Sequence, residues 1–592
     1  MNRPQRGARG ARGARGTDTC RQSDGVRGTD SAACRFRPLE RLAPLCGNSR
    51  LLWLAESAWR PGLLAAAVLA FCFALAAGEP PALAPEPARG AVVIKPDFEP
   101  EAERAKWSKS PVAKWTREAP GGRWCLAVDV PAEGRRGASM VSLPIDLTPF
   151  RGMALHFQCR ARAEGVTKPE QAYNGVKFML HFKAPSGEHW RNQDNVFGTF
   201  DWKTLSFTST IPEDAAAGEI CLGLQDTSGK AWFGEITVSI ARPRPPKRPA
   251  PDPNAPPAYK GHDLPRLRGV MSPNSFREED LRVLGDEWKA NLIRWQLNRN
   301  WGQAGTERDL ADYDRWLDGR LDELEKALPV CRKHGIRVVI DLHALPGGRD
   351  ESSDMVMFYE KKYQDHFVKT WEKIARRFKG NPAVWAYDLV NEPTCARPTE
   401  AGMDSLTTQV RAARAVRAID PKTTIIIEAE DWASPSAFVW LTPVDVPNVV
   451  YQVHMYVPHA YTHQGVVKEH PTTAVPYPGK IVGQEYDKEA LRKILQPVRE
   501  FQRAHNVHIY VGEFSAIRWA PGAARYLADC IGIFEEYGWD WSYHAYREWP
   551  GWSVEHENLP ADRDRHQPAK ADTDRKKLLL EWFAKNRKPD GQ

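Results

Sequence analysis

Past residue 50 the sequence has no excess of charge of either sign. The chain of 592 residues carries 82 Lys and Arg against 75 Asp and Glu, a balance that on its own hints at a polyanionic partner. Residues 1–50 hold 11 Arg and no Lys against three Asp and one Glu, which is the whole surplus; residues 51–592 carry 71 of each sign. Without a basic surplus there is no global electrostatic case for binding nucleic acid. Cysteine patterning is missing as well. Four of the ten Cys (Cys20, Cys34, Cys46, Cys72) lie near the N-terminus, and Cys125, Cys159, Cys221, Cys331, Cys395 and Cys530 are widely and irregularly spaced. No CxxC pair and no Cys/His zinc spacing occurs, which argues against a structural metal.

Long apolar runs are scarce too. Arg60-Pro61-Gly62 leads into the run Leu63–Ala77. At about 15 residues this run is short for a membrane span and suits the h-region of a signal peptide. Small residues and a Pro-rich stretch follow. Residues 51–84 therefore read as a signal region, with cleavage expected near Ala77 to Ala84 and a secreted or periplasmic protein as the outcome. The alternative is an uncleaved N-terminal anchor. Residues 1–50, with the repeat GARGARGARG, read as a disordered leader or as a start called too early.

What the sequence does have is tryptophan, 22 in all. Trp is a costly core residue but a good flat platform for sugar rings or bases. The 42% hydrophobic and 27% charged composition suits a globular chain. Residues 242–258 (RPRPPKRPAPDPNAPPA) are too rich in proline to continue a helix or sheet and read as a stiff linker. Before it, residues 90–241 show short alternating runs at Met153–Cys159, Val176–Phe182, Thr204–Thr208, Ile220–Leu224 and Ile236–Ile240, separated by turn residues. These predict an all-β sandwich of jelly-roll type. The segment DTSGKAWFGEITVSI (226–240) resembles the last strands of sandwich-type carbohydrate-binding modules. Trp190, Trp202 and Trp232 are its candidate sugar platforms, weighed against ordinary core or edge positions.

After the linker, residues 259–590 alternate apolar strands with amphipathic helices such as Tyr313–His334 and Glu360–Lys379. Eight strands are expected, at Gly269–Met271, Leu292–Trp295, Arg337–Leu342, Val384–Val390, Thr424–Glu428, Val449–Met455, His508–Gly512 and Trp539–His544. This is the pattern of a (β/α)8 TIM barrel, whose chemistry sits at the C-terminal strand ends. Polar residues collect there: Arg294 on strand two, His343 after strand three, Asn391 and Glu392 after strand four, His454 and Tyr456 at strand six and Glu513 at strand seven. Each alone is more often structural than catalytic; the set in barrel order points to a site. Two carboxylates over one opening suit glycoside hydrolysis, retaining at about 5–5.5 Å separation and inverting when farther apart.

The segments NLIRW (291–295), VVIDLHALPGG (338–348), AVWAYDLVNEP (383–393), VVYQVHMYVPH (449–459) and IYVGEFSAIRW (509–519) resemble the catalytic domain of glycoside hydrolase family 5, the cellulase family. The resemblance implies Glu392 as general acid/base and Glu513 as nucleophile. It places Arg294 and Tyr456 as supports of that nucleophile, Asn391 at the sugar 2-hydroxyl, and His343 and His454 along the cleaved subsite. It implies a retaining mechanism with no metal or organic cofactor. The acid must be protonated at working pH, so a raised pKa is expected for Glu392.

Family members usually carry a Trp floor at the end of strand eight. Here the sequence reads GWDWSYHAYREWPGW (538–552). Strand alternation separates Trp541 and Tyr543 from His544, and Trp541 is taken as the floor; His544 in that place would mean a different subsite. Trp301, Trp432, Trp519 and Trp549 fall on neighbouring loops and suit a glycan cleft, whereas Trp316, Trp371 and Trp582 fall in helical patterns. The leading expectation is a secreted, monomeric endo-β-1,4-glucanase. Its rivals are a β-mannanase, a xyloglucan or other β-glucan hydrolase, and a non-catalytic glycan-binding protein. Its partner is an uncharged polysaccharide, β-glucan or β-mannan, with no nucleic acid and no stable membrane span unless the signal is uncleaved.

Overall fold

A computed structural model describes residues 87–134, 137–271, 276–299, 307–466, 474–559 and 565–589. The expected leader, the signal region and Trp301 lie outside these residues. Among the described residues no helix is long and apolar enough to cross a membrane, and the six cysteines are buried free thiols.

Two antiparallel sheets form the first domain. One runs in the order Ala113–Ala119, Arg123–Val130, Gly229–Arg242, Ala154–Val166, Gly198–Thr210, with Val92–Ile94 also paired to Gly229–Arg242. The other runs Ala138–Asp146, Ala217–Gln225, Gly175–Ala184, Gly187–Asn192. Alternation assigns the faces: Val176, Phe178, Leu180 and Phe182 enter the core between the sheets, which sends Lys177, Met179 and His181 to the outer face. Phe207 joins the layers, stacked on Phe157 of its own sheet at 4.9 Å and 5.2 Å from Phe178 of the other. Of the three Trp candidates, Trp232 is buried, Trp202 packs half-buried against the Ala119, Cys125 and Ala127 cluster, and Trp190 is exposed.

The second domain is a closed eight-stranded barrel. Its strands are one (Arg268–Met271), two (Leu292–Gln296), three (Arg337–Asp341), four (Val384–Asp388), five (Thr424–Glu428), six (Val449–Met455), seven (Ile509–Phe514) and eight (Asp540–Tyr543), all paired in parallel. Outward residues such as Ile293, Trp295, Ile340 and Val511 bury against the surrounding helices, among them Leu310–Lys333 and Lys361–Phe378. The Asp309 carboxylate caps the first of these helices by accepting from the backbone N–H groups of Ala311 and Asp312.

The inward residues are layered. Leu292, Val339, Ala386, Ile426, Val450 and Tyr510 fill the lower barrel with hydrocarbon. Two residues further along five of these strands stand Arg294, Asp341, Asp388, Glu428 and Gln452, all buried. A register shift between strands six and seven pairs Val453 with Val511 but His454 with Glu513. The extra residue is Gly512, where a Cβ would lie 2.4 Å from the Gln452 side chain. Glycine there lets the bulge form and brings Glu513 level with His454.

At the opposite end, Asp540 accepts from His262 and from His508 on one carboxylate oxygen, each at 2.7 Å. Its other oxygen accepts from the Leu267 N–H at 2.8 Å. Burial pushes the Asp540 carboxyl up, but His508 and His262 outweigh it and hold the group well below the usual carboxylate range. A depressed carboxyl stabilises the fold above its unfolded value of about 4 and loses that contribution as the pH falls toward the folded value. Asp540→Ala is therefore expected to cost about 3–5 kcal/mol at neutral pH, and less below about pH 4. Urea midpoints at the two pH values check this. A penalty independent of pH would contradict it, and activity of the folded fraction should not change.

From 243 to 267 the chain forms no helix or strand, and it lies along both domains. Arg244 donates to the Pro149 and Arg151 carbonyls, Arg248 donates to the Leu441 carbonyl, and the Pro256 carbonyl accepts from Asn506. Further contacts join the domains. Arg89 and Arg242 both meet Glu430, Arg89 donates to the Cys395 carbonyl at 2.6 Å and Thr208 to the Ala396 carbonyl at 3.2 Å. The last two contacts brace the loop that follows Glu392.

Candidate functional site

Of the seven polar residues singled out at the strand ends, Arg294 lies in this buried ionic layer of Arg294, Asp341, Asp388 and Glu428, and the others gather beside or above it. Arg294 sits at the centre with its donors committed. Its Nη1 donates to Glu513 Oε1 at 2.6 Å, Nε to Asp388 Oδ2 at 2.8 Å and Nη2 to Asn391 Oδ1 at 3.0 Å. Nη2 also lies 3.3 Å from both Asp341 and Glu428. Four carboxyl groups around one guanidinium do not all ionise. Burial, then the neighbouring Asp388, lift Glu428 well above the usual carboxylate range against the pull of Arg294. Burial also lifts Asp388.

Glu513 is shifted the other way. Burial alone would raise its carboxyl, but the charges of His454, His544, Arg294 and His343 outweigh it and hold the group well below the usual range. Tyr456 donates to Glu513 Oε2 at 2.8 Å, and the same hydroxyl meets His544 Nδ1 at 2.6 Å. A phenol has one proton, so this pairing assigns Nδ1–H of His544 as donor to the Tyr456 oxygen. His544 Nε2 in turn faces Glu548 at 3.2 Å. Burial disfavours the His544 cation, but Glu548 and Glu513 raise its pKa nonetheless.

Glu392 is held from several sides. Its backbone N–H donates to Glu428 Oε2 at 2.8 Å, and its carbonyl accepts from Arg349 Nη2 at 2.8 Å. His454 Nδ1 lies 3.1 Å from its Oε1, with His454 Nε2 3.1 Å from the Gln452 amide. Its φ of +53° is in the left-handed region, a strained conformation for a residue with a side chain. The Glu392 side chain is 22% exposed and that of Glu513 6%, so Glu392 faces the opening and Glu513 lies below it. One carboxylate oxygen of each lies within 4.8 Å of the other. Asn391 Nδ2 reaches His343 Nε2 at 3.4 Å, and His343 Nδ1 pairs with Asp341 at 2.9 Å.

Strand eight corrects one expectation. Trp541 does not floor the cleft. It is fully buried on the outer side of the strand, stacked on Phe583 at 5.6 Å, with its indole N–H donating to Glu535 at 2.9 Å. Alternation did separate Trp541 and Tyr543 from His544, but His544 has the inward face. Trp552 lies 5.4 Å from His544 and 6.2 Å from Tyr456, and Trp549 packs beside it at 5.8 Å. Trp541→Ala should therefore cost about 3–5 kcal/mol of stability and leave KM unchanged; a raised KM with intact stability would restore it to the cleft. On the other side, Trp432 is 41% exposed. Its backbone N–H donates to the Pro393 carbonyl at 3.3 Å, and Arg349 lies over its ring at 4.2 Å. Trp519 is buried, its N–H given to the Gln464 carbonyl.

Asp341, Asp388, Glu428, Arg349 and Glu548 belong to the site and were not singled out from the sequence. The signal was present for three of them: Asp341, Asp388 and Glu428 are charges inside apolar strands, on the same parity as Arg294. Among the described residues two clusters have ligand types suited to a metal ion, Glu392 with His454 and Glu513, and His262 with His508 and Asp540. In the first, the Arg294 cation already occupies Glu513. In the second, both histidines share one carboxylate oxygen.

A parallel barrel presenting two facing carboxylates, one braced by a guanidinium and the other open to solvent, defines a glycoside hydrolase. Comparison with known proteins gives the family. Residues 257–549 match the family model described as "Cellulase (glycosyl hydrolase family 5)", and the barrel domain belongs to that family. Endoglucanase C of Acetivibrio thermocellus is 28% identical over 252 residues, covering 38% of this chain and 72% of that protein. A protein named Beta-xylosidase from Phanerodontia chrysosporium is 26% identical over 244 residues, covering 38% and 48%. The solved structure titled as a hyperthermophilic endo-beta-1,4-glucanase in complex with substrate has 21% identity, covers 54% of this chain and 97% of its own, and has a TM-score of 0.42.

Proposed function

We propose that this protein is an exported, monomeric endo-β-1,4-glucanase that hydrolyses with retention, using Glu513 as nucleophile and Glu392 as acid and then base. The observation that carries this reading is the pair itself: carboxylate oxygens of Glu392 and Glu513 within 4.8 Å, close enough for a sugar C1 to be attacked directly rather than through an intervening water. Glu513, ionised against Arg294 and hydrogen-bonded by Tyr456, attacks the anomeric carbon. Glu392 delivers its proton to the departing oxygen. With His454 donating to Oε1, the proton sits on Oε2. The glycosyl ester on Glu513 is then hydrolysed by a water whose proton returns to Glu392. Asn391 serves the sugar 2-hydroxyl, and His343 holds the Asn391 amide. A barrel that only bound glycan would have no use for two facing carboxyl groups, one of them buried against a guanidinium.

β-1,4-Glucan is supported by the names of the endoglucanases among the relatives. β-Mannan or another β-glucan is a second reading, favoured by His544 standing where an indole floor was expected. Export rests on Leu63–Ala77, and a neutral glycan is in keeping with the charge balance after residue 50. Reducing-end release from carboxymethylcellulose, mixed-linkage β-glucan, mannan and xyloglucan, with viscosity followed in parallel, tests the substrate. A fall in viscosity well ahead of reducing ends on the glucans is expected. Activity on mannan alone would overturn the substrate, and activity on none would overturn the function.

A further inference from the structure

Trp190 lies in strand Gly187–Asn192, at the edge of the four-stranded sheet and directly opposite His181. The two rings are stacked, 3.5 Å between centroids and 11° between planes. His181 is fixed at both nitrogens, Nδ1 against Glu219 at 2.8 Å and Nε2 against Glu188 at 2.9 Å. One face of the indole is thus backed by an imidazole that two carboxylates hold in place. Even so the residue is 52% exposed, so the opposite face looks out to solvent.

Tyr173, 53% exposed, shares with Trp190 a cavity of about 630 Å³ whose lining includes Lys177, Asn192, Asp194 and Gln225. Lys177 is buried. It donates to the Tyr173 carbonyl and, at 3.1 Å, to Asn192 Oδ1, which ties the Tyr173 loop to the strand carrying Trp190. The pairing partners that join this domain to the barrel, Arg89, Thr208 and Arg242, belong to the six-stranded sheet or the segment leading into it. Among the described residues, none of these contacts involves the outer face of the four-stranded sheet around Trp190. A backed indole beside a second exposed ring suits the C–H face of a pyranose. The amides and the mixed charges between them suit hydroxyl groups and do not favour an ionic ligand.

We propose that this face binds a neutral β-linked glucan chain, with the Trp190 indole as its platform and Tyr173 as the second ring. Only the identity of the sugar rests on the substrate reading above; the site itself does not require the barrel to be active. The test uses the full chain carrying Glu513→Gln, so that ligand is not consumed, in affinity electrophoresis through mixed-linkage β-glucan or hydroxyethylcellulose. Trp190→Ala and Tyr173→Ala are expected to weaken retention about tenfold each, and Trp190→Phe to keep most of it. In the Glu513-intact chain, Trp190→Ala should leave hydrolysis of a small chromogenic cellobioside unchanged.

Retention unaffected by either alanine variant overturns the proposal, as does a parent chain that neither gel retards. A change of oligomeric state on Trp190→Ala, with retention kept, would reassign the face to self-association and also overturns it. Trp190-dependent retention in a protein that cleaves no glucan would remove the substrate reading and leave this site standing. Glucan cleavage without Trp190-dependent retention would do the reverse.

Discussion

Glu513→Ala is expected to stop hydrolysis, with kcat down on the order of 10⁵-fold and the fold unchanged. Loss of this carboxylate removes the group that His454, His544 and Arg294 hold ionised beside Glu392. Nothing adjacent replaces it: Asp388 and Glu428 are lifted by burial and are engaged by Arg294 and the Glu392 backbone. The fold tolerates the loss because Arg294 keeps Asp388, Asn391 and Glu428 as partners. Glu392→Ala should behave differently. Removing a general acid costs about 10²–10⁴-fold, chiefly on substrates whose leaving oxygen needs a proton, and an aryl glycoside with an acidic phenol should still form the glycosyl ester. Azide separates the two variants. With Glu392→Ala it intercepts the ester to give a β-glycosyl azide; with Glu513→Ala it enters from the nucleophile's side to give the α product. Equal losses on all substrates and no azide products would contradict the assignment of roles. Steady-state kinetics with paired good and poor leaving groups provides the check.

The second large effect is expected at Arg294. Burial alone would disfavour its charge, yet Asp341, Asp388, Glu513 and Glu428 together raise its pKa well above the ordinary value. It is a permanent cation on which the ionic layer depends. Arg294→Ala leaves several buried carboxyl groups without a counter-charge, at a cost of about 3–5 kcal/mol. Glu513 is then no longer held ionised by this neighbour, so kcat should fall and its acid limb should move to higher pH. Arg294→Lys keeps the charge but cannot span Glu513, Asp388 and Asn391 at once. It should restore most of the stability and little of the turnover. A lysine variant with wild-type kcat would show that charge alone suffices and that the fork has no positioning role. Melting temperatures and pH–rate profiles of the two variants distinguish these outcomes.

The barrel was legible because its strands are short apolar runs separated by amphipathic helices, and seven strand-end polar residues marked the mouth. What those residues do to each other was not legible. Asp388 and Glu428 are single charges in apolar strands and were not singled out, because their partner, Arg294, is more than 90 positions away from each. The position of Glu513 opposite His454 depends on a bulge at Gly512 that no local pattern announces. Strand eight shows the limit most clearly. Alternation put Trp541 and His544 on opposite faces but could not say which face was inside, and the family expectation of an indole floor tipped the choice to the wrong one. The burial of Trp541 against Phe583 depends on a helix, Asp574–Phe583, far along the chain, while its N–H meets Glu535 on the helix just before strand eight, Ala523–Tyr537. In the front domain, the alternating runs marked parts of Ala154–Val166, Gly175–Ala184, Gly198–Thr210, Ala217–Gln225 and Gly229–Arg242 but not the edge strand Gly187–Asn192, so they could not separate the exposed Trp190 on that strand from the buried Trp232.

The central claim is that Glu392 and Glu513 act as a retaining pair. The most direct measurement is the configuration of the first product, followed by proton NMR of the anomeric signal in the first minutes of hydrolysis, before mutarotation. The account predicts the β-anomer at the new reducing end. Initial appearance of the α-anomer would mean that water attacks directly, and would contradict a nucleophilic Glu513.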